Sequence, residues 1–244
     1  DIDGNGVIDG DNSFFGQNGL FNALASDPDA ADAFENYSRY DVDEDGVPDH
    51  DDLDSDNDGI NDVAEANFDA LDTNGDGRID DGTGNPPLVT ATGLAPMLDP
   101  DLTDVAIPLP PDTDLDGVPD WHDLDSDNDG INDVAESVKF DADNNGIIGS
   151  GVPTVDVNGQ ATTDELGLPL ATTSRPANTD EKDAADFRDL DADDDGINDV
   201  DEADQPDLDA DGIVGMGIPV VNAKGQITQD AEGTPLAPIS NPED

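Results

Sequence analysis

No cysteine occurs among the 244 residues, so neither a disulfide framework nor a thiolate metal site can hold this chain together. Basic residues are nearly as scarce. There are 7 Lys plus Arg against 63 Asp plus Glu, a formal net charge of -56. Such a chain has almost nothing to set against a phosphate backbone, which argues against a nucleic-acid partner. No apolar run approaches the ~18 residues of a membrane span. Aromatic residues make up only 4%, too few for an ordinary core. Low hydrophobicity with high net charge normally marks a disordered chain, but disordered acidic tails run in blocks. Here the acids recur at alternate positions and stop at glycine. A merely acidic surface would scatter its carboxylates without fixed spacing. This order points to metal ligation.

The order is also repeated. LDSDNDGINDVAE at 53–65 recurs at 124–136, and again as LDADDDGINDVDE at 190–202, with offsets of 71 and then 66 residues. GVPTV at 151–155 matches GIPVV at 217–221, and GLPLA at 167–171 matches GTPLA at 233–237. The expected fold is a mostly irregular, calcium-stabilised repeat array, elongated, with short helices and small β-hairpins. Its divisions are 1–40 (the end of a preceding repeat plus an aromatic-rich insert), then repeats at 41–111, 112–177 and 178–244. The first residues, 1–8, resemble 141–148 in mid-unit, and Asp244 aligns with Asn178, which opens a unit. No leader is visible. The expectation is a slice of a longer array, self-associating end to end by covalent chain or by head-to-tail contact.

Asp54, Asp56, Asp58, Ile60, Asp62 and Glu65 occupy positions 1, 3, 5, 7, 9 and 12 of a twelve-residue calcium loop, with Gly59 at position 6. Alternate side chains at 1, 3 and 5 converge on one side of a tight loop, and the glycine lets the backbone turn round the ion. Position 7 offers its carbonyl, position 9 a direct or water-mediated oxygen, and the acid at 12 two oxygens. The same positions are filled by Asp125, Asp127, Asp129, Ile131, Asp133 and Glu136, and by Asp191, Asp193, Asp195, Ile197, Asp199 and Glu202. A second loop precedes two of these: Asp41, Asp43, Asp45, Val47, Asp49 and Asp52, and Asp112, Asp114, Asp116, Val118, Asp120 and Asp123. Oxygen-only ligands favour Ca2+ over zinc or copper, and the large shell favours it over magnesium.

The loop before the third copy is broken. Lys182 and Asp183 stand where Asp116 and Gly117 would, beside Asn178 and Asp180. An ammonium at a ligand position predicts a loop without an ion, with Lys182 neutralising the carboxylates instead. Four shorter loops lack the closing acid: Asp1, Asp3 and Asn5; Asp72, Asn74 and Asp76; Asp141, Asp143 and Asn145; Asp207, Asp209 and Asp211. They read either as Asx-rich turns without an ion or as calcium sites completed from other segments.

Between the paired loops there is no room for helices, since 41–52 is followed by Leu53 alone before 54–65 begins. Back-to-back loops of this kind resemble the thrombospondin type-3 repeat, in the form carried by bacterial surface proteins. The resemblance covers 41–65, 112–136 and 178–202. It implies loops wrapped round calcium ions that replace a conventional core. Thrombospondin repeats also use disulfides. Without them, calcium must carry more of the stability here.

Beyond the loops, 132–139 has helical spacing, and 154–163 reads as a hairpin turning at Asn158 and Gly159. The Pro-bearing stretches 85–111 and 166–177 read as extended connectors or edge strands. Residues 11–40 gather six of the aromatics (Phe14, Phe15, Phe21, Phe34, Tyr37 and Tyr40), with a short helix expected at 30–37. They form either a small local core or a contact surface. His50 aligns with Trp121 and Phe187, and His122 with Asp51 and Arg188, which suggests packing rather than catalysis, and no enzyme is expected. Two function classes follow. One is an extracellular or cell-surface structural or adhesive module, a rod or filament segment rigidified by calcium. The other is a calcium-dependent module that docks a protein or glycan. Repeat number favours the first.

Overall fold

Two backbone conformations, both written into the sequence, make the loops 54–65, 125–136 and 191–202. At position 4 the chain turns left-handed, at Asn57 (φ 62), Asn128 (φ 60) and Asp194 (φ 60), residue types that tolerate this region. At position 6 the glycines 59, 130 and 196 take φ of 97, 91 and 90, where a side chain would be strained. The short loops repeat the geometry, at Gly75, Asn144 and Ala210 and again at Gly77, Gly146 and Gly212.

The computed structural model describes residues 40–89, 95, 98 and 110–240. The loop at Asp1, Asp3 and Asn5, the helix expected at 30–37, and nearly all of the aromatic segment lie outside the described residues. Contacts divide the chain into two compact units, Asp1–Tyr40 with Leu88–Leu109, and Asp41–Pro87 with Pro110–Asp244. All the geometry below belongs to the second.

Regular structure is brief. The helices α1 (Asp62–Glu65), α2 (Asp133–Glu136) and α3 (Asp199–Glu202) each close a complete loop. The helical spacing over 132–139 therefore yields only four residues. The chain leaves the helix at Ser137 and turns left-handed at Val138 (φ 58). Single 3-10 turns occupy Asp69–Leu71, Asp120–His122 and Asp186–Arg188. Strand β1 (Thr154–Val155) pairs antiparallel with β2 (Ala161–Thr163), and β3 (Val220–Val221) with β4 (Ile227–Gln229). These are the expected hairpin and its copy. The connector 166–177 is extended, with bridges from Pro169 to Thr163 and from Thr173 to Ile60.

Among the described residues, apolar packing comes in small separate clusters. Val134 meets Ile148, Ala161 and Leu170, and one unit later Val200 meets Val214, Ile227, Val221 and Leu236. A third cluster joins Ile60 and Ala64 to Phe187, with Ala185 against them. Clusters this small bury too little to offset the ordering entropy of such a chain unaided.

The segments after the second and third loop pairs, here called tails, each lie across the pair before. Leu53 N–H donates to Asn158 O (3.0 Å), Ile148 N–H to Asn57 O (2.8 Å), Thr173 N–H to Gly59 O (2.8 Å) and Asn61 N–H to Thr173 O (2.8 Å). The set recurs between the second pair and the third tail. There Leu124 donates to Lys224 (3.0 Å), Val214 to Asn128 (3.0 Å), Ile239 to Gly130 (2.9 Å) and Asn132 to Ile239 (2.8 Å). The hairpin turn presses so close that a Cβ at Gly159 would fall 1.7 Å from Asp52 Oδ1, and one at Gly225 1.7 Å from Asp123 Oδ1. Only glycine fits between turn and carboxylate, which accounts for Asn158-Gly159 and Lys224-Gly225 better than turn propensity alone.

Candidate metal centres

In the loop 54–65, backbone N–H groups occupy one oxygen of each acid at positions 1, 3 and 5. Gly59 donates to Asp54 Oδ1 (3.4 Å), Asp58 to Asp56 Oδ1 (3.1 Å) and Ile60 to Asp58 Oδ1 (2.6 Å). The second oxygens of Asp54, Asp56 and Asp58, and both oxygens of Glu65, are buried without a hydrogen-bond partner. All four residues have zero exposure. The loop 125–136 repeats this atom for atom, with free buried oxygens on Asp125, Asp127, Asp129 and both on Glu136. Within each trio at positions 1, 3 and 5, carboxylate oxygens lie within 4.8 Å of one another.

Carboxylates so placed cannot all stay ionised unaided. Burial first, and then their mutual repulsion, holds Asp54, Asp56, Asp58 and Glu65 well above the usual carboxylate range, and Asp125, Asp129 and Glu136 likewise. Burial with repulsion from neighbouring acids also raises Asp123, to about 11. An unpaired buried carboxylate is costly, and a bound cation is the partner that this donor set fits.

The preceding loops are similar but more engaged. Asp41, Asp43 and Asp45 form one close group and Asp112, Asp114 and Asp116 another. Free buried oxygens remain on Asp41, Asp45 and Asp52, and on Asp112, Asp116 and Asp123. Asp43 and Asp114 each accept from the amide of the next loop, Asn57 and Asn128, which ties the two loops of a pair together. Burial raises Asp43 to about 8 and Asp114 to about 7. Among the described residues no hydrogen bond reaches the carbonyls of Val47, Ile60, Val118, Ile131 or Ile197 at position 7.

Position 9 is spent differently. Asp62 accepts from Ser55 N–H and Ser55 Oγ–H, both at 2.8 Å, and Asp133 from Ser126 N–H (2.9 Å) and Oγ–H (2.6 Å). Asp49, Asp120, Asp186 and Asp199 likewise each accept from position 2 of their own loop. These acids brace the loop. Asp133 nevertheless comes within 4.8 Å of Asp58 and Glu65 in a fully buried group, so successive pairs bring their acids together.

In the broken loop the Lys182 ammonium does meet carboxylates. Lys182 Nζ lies 3.2 Å from Asp180 Oδ2 and also pairs with Asp194. The first of these contacts is one of charge, for Asp180 Oδ2 makes no well-aligned hydrogen bond. The loop 191–202 holds the same residues at positions 1, 3, 5, 6, 7, 9 and 12 as the loops 54–65 and 125–136 but stands open: Asp193, Asp195 and Ile197 are exposed. Asp191 closes both its oxygens on backbone N–H groups, of Asp195 (3.1 Å) and Gly196 (3.0 Å).

In the described short loops the first aspartate is similarly consumed. Asp72 accepts from Gly75 (2.7 Å), Asp76 (3.2 Å) and Gly77 (2.8 Å). Asp141 accepts from Asp143 (3.1 Å), Asn144 (2.8 Å), Gly146 (2.8 Å) and Ser240 (2.5 Å), and Asp207 from Ala210 (2.7 Å) and Gly212 (3.0 Å). Burial would raise Asp72, but bonds from Ser174 and these N–H groups outweigh it and lower the carboxyl. This is the Asx-turn arrangement.

His50 is exposed, whereas His122 is buried with Nε2 2.9 Å from Asp49 Oδ2 and its ring 3.8 Å from that of Trp121. Burial pushes the His122 imidazole down, against the pull of Asp49.

Sequence reading passed over the residues that fasten tail to pair. Asn61 Nδ2 donates to Ser174 Oγ (2.8 Å), and Gln160 Nε2 to Asn61 Oδ1 (3.0 Å). One unit on, Asn132 donates to Ser240 (2.7 Å), and Gln226 to Asn132 (3.3 Å) and Asn145 O (2.9 Å). The offset that relates the tails also relates Gln160 to Gln226 and Ser174 to Ser240, and was the one available signal. No protein-family model, curated protein or solved structure matches this chain.

Proposed function

We propose that this chain is an extracellular calcium-binding structural protein, a repeat array forming a rod or filament segment that its ions rigidify, and not an enzyme. The observation that carries the reading is the set of buried, partnerless carboxylate oxygens at positions 1, 3, 5 and 12 of 54–65 and 125–136. Asp54, Asp56, Asp58 and Glu65 would hold one ion with the Ile60 carbonyl. Asp125, Asp127, Asp129 and Glu136 would hold another with Ile131. The loops 41–52 and 112–123 supply further oxygens. Calcium suits this set because every donor is a hard oxygen and the donors outnumber what magnesium takes from protein. The ion supplies positive charge where the chain has almost none, and the residues that hold it are those that shape the loops.

The small apolar clusters support a structural role, since little else could stiffen the chain. Calcium titration of metal-stripped protein by calorimetry, with bound metal counted by elemental analysis, tests the reading. At least four calcium ions per chain are expected, one each for 41–52, 54–65, 112–123 and 125–136. A chain that takes up no calcium at millimolar concentration overturns it. Scattering in calcium tests the rod, and a compact particle would leave a calcium protein that is not one.

A further inference from the structure

The first two pairs are covered by tails, and the third is not. Residues 54–60 and 125–131 are buried throughout, whereas 193–197 are exposed. Ile60 has 0% exposure and Ile131 7%, against 48% for Ile197 in the same position. A Cβ on Gly59 would stand 2.9 Å from Ile148 Cδ1, and one on Gly130 3.1 Å from Val214 Cβ, both apolar side chains of the covering tail. A Cβ on Gly196 meets nothing within 4 Å. Asn61 and Asn132 each accept a glutamine amide and donate to a serine hydroxyl of the tail. Among the described residues no group hydrogen-bonds the Asn198 side chain, its N–H, or the carbonyls of Asp194 and Gly196, which are the atoms that the tails engage in the other two copies.

A second surface is open in register with the first. On the first pair, Ile60 and Ala64 are covered by the Phe187 ring, whose neighbour Arg188 reaches the Glu65 carbonyl and Asn67. On the second pair the equivalent residues Ile131 and Ala135 line a cleft of about 480 Å³, walled on its other side by Ala192 and Ala203. The ring that fills the first site comes from the pair two units on. The tail that covers a pair comes from the unit directly after it. One added unit, with its ring at the Phe187 position and its tail of the 207–240 type, would fill both surfaces at once.

We infer that the face at 190–198 and the cleft beside Ile131 and Ala135 together form an acceptor for one further repeat unit of the 178–240 sequence type. Its hairpin turn lies against the Asp189 position, its glutamine and serine engage Asn198, and its flat ring enters the cleft. This rests on the structural reading above and gives it a joint.

The experiment compares the chain with one lengthened by a second copy of 179–244 after Asp244, both in millimolar calcium, by hydrogen exchange with mass spectrometry. In the unmodified chain the Asn198 amide should exchange at least tenfold faster than those of Asn61 and Asn132. In the lengthened chain it should slow to their level. Protection of 190–199 equal to that of 53–62 in the unmodified chain overturns the proposal, and needs no variant to fold. Fast exchange at Asn198 in the lengthened chain overturns it too, whether or not the added loops take up calcium. Calcium uptake on the same samples separates the two readings. Uptake without protection sinks the joint alone, and protection without uptake sinks the calcium reading alone.

Discussion

Withdrawing calcium should collapse this protein at neutral pH, and the geometry says by how much. Asp54, Asp56 and Asp58 bring carboxylate oxygens within 4.8 Å of one another. If all three stay ionised, each pair at that separation repels by about 3.5 kcal/mol at an effective dielectric near 20 and the trio would store about 10 kcal/mol; keeping them protonated instead, as their burial favours, costs proton uptake at neutral pH. Asp125, Asp127 and Asp129 would store a similar amount. Either figure rivals the whole stability of an ordinary domain, ~5–15 kcal/mol, and the apolar clusters are too small to oppose it. Trp121, the single tryptophan of the chain, sits in the loop 112–123 against the His122 ring and reports on that loop directly. Chelator at pH 7.5 should shift its emission to the red, flatten the near-ultraviolet dichroism, and be reversed by added calcium. An unchanged emission and dichroism spectrum after verified metal removal would falsify the electrostatic reasoning, because among the described residues only small apolar clusters remain to hold those carboxylates together.

Replacing Glu65 with Gln should act in opposite directions with and without the ion. In calcium the variant should bind at least tenfold more weakly at that loop, a loss of about 1.4 kcal/mol or more, whereas in metal-free buffer at pH 7.5 it should melt higher than the parent, since the amide spares the fold the proton that buried Glu65 must take up. Equal melting shifts in both buffers would count against the ligand role. The pH dependence of metal-free protein should likewise run against the calcium form. Asp52 and Asp62 are raised by burial to about 7, so the folded state holds protons that the unfolded chain has released above about 4. Their contribution to stability is complete below pH 4 and lost as pH rises through 7, while calcium binding at the loop 41–52 needs the Asp52 proton gone and strengthens over the same interval. Melting temperatures at pH 4.5 and 7.5, with and without calcium, should therefore cross. Gly59→Ala should destabilise by about 1–2 kcal/mol more than Gly196→Ala, measured by denaturant in calcium. Both place a side chain at positive φ, but only the first also drives a methyl against Ile148; equal losses would contradict the covered-pair geometry.

The loops were readable from sequence because a twelve-residue acidic loop with candidate ligands at fixed positions is local. Its ligands lie within twelve residues, its glycine marks the turn, and repetition removes chance as an explanation. For the same reason the hairpins could be read at their Gly turns and one short helix at its apolar spacing, although that helix, at 133–136, stops well short of what the spacing suggests, and its copies at 62–65 and 199–202 were not read. The bracing role of Asp62 and Asp133 was hidden because a carboxylate at position 9 has the same spelling whether it faces an ion or Ser55. What sequence could not convey was the laying of each tail on the pair before it. Thr173 meets Gly59, and Gln160 meets Asn61, across more than ninety residues with no periodicity to announce the contact. The wedge of Gly159 against Asp52 belongs to the same class. A turn glycine looks sufficient in itself until the opposing carboxylate is seen.

The backward reach of the tails also orders events in time. A chain that leaves the ribosome from its N-terminus makes the loops at 54–65 long before it makes Asn158 and Thr173, which close over them. Each pair therefore waits, uncovered, until the unit behind it has been synthesised, and contacts of such sequence separation form slowly. The advancing chain carries one immature pair at its trailing edge at every stage, exposed to solvent and to premature metal capture. Cover by tails follows synthesis by one unit, and the Phe187 ring reaches Ile60 and Ala64 only after a further one.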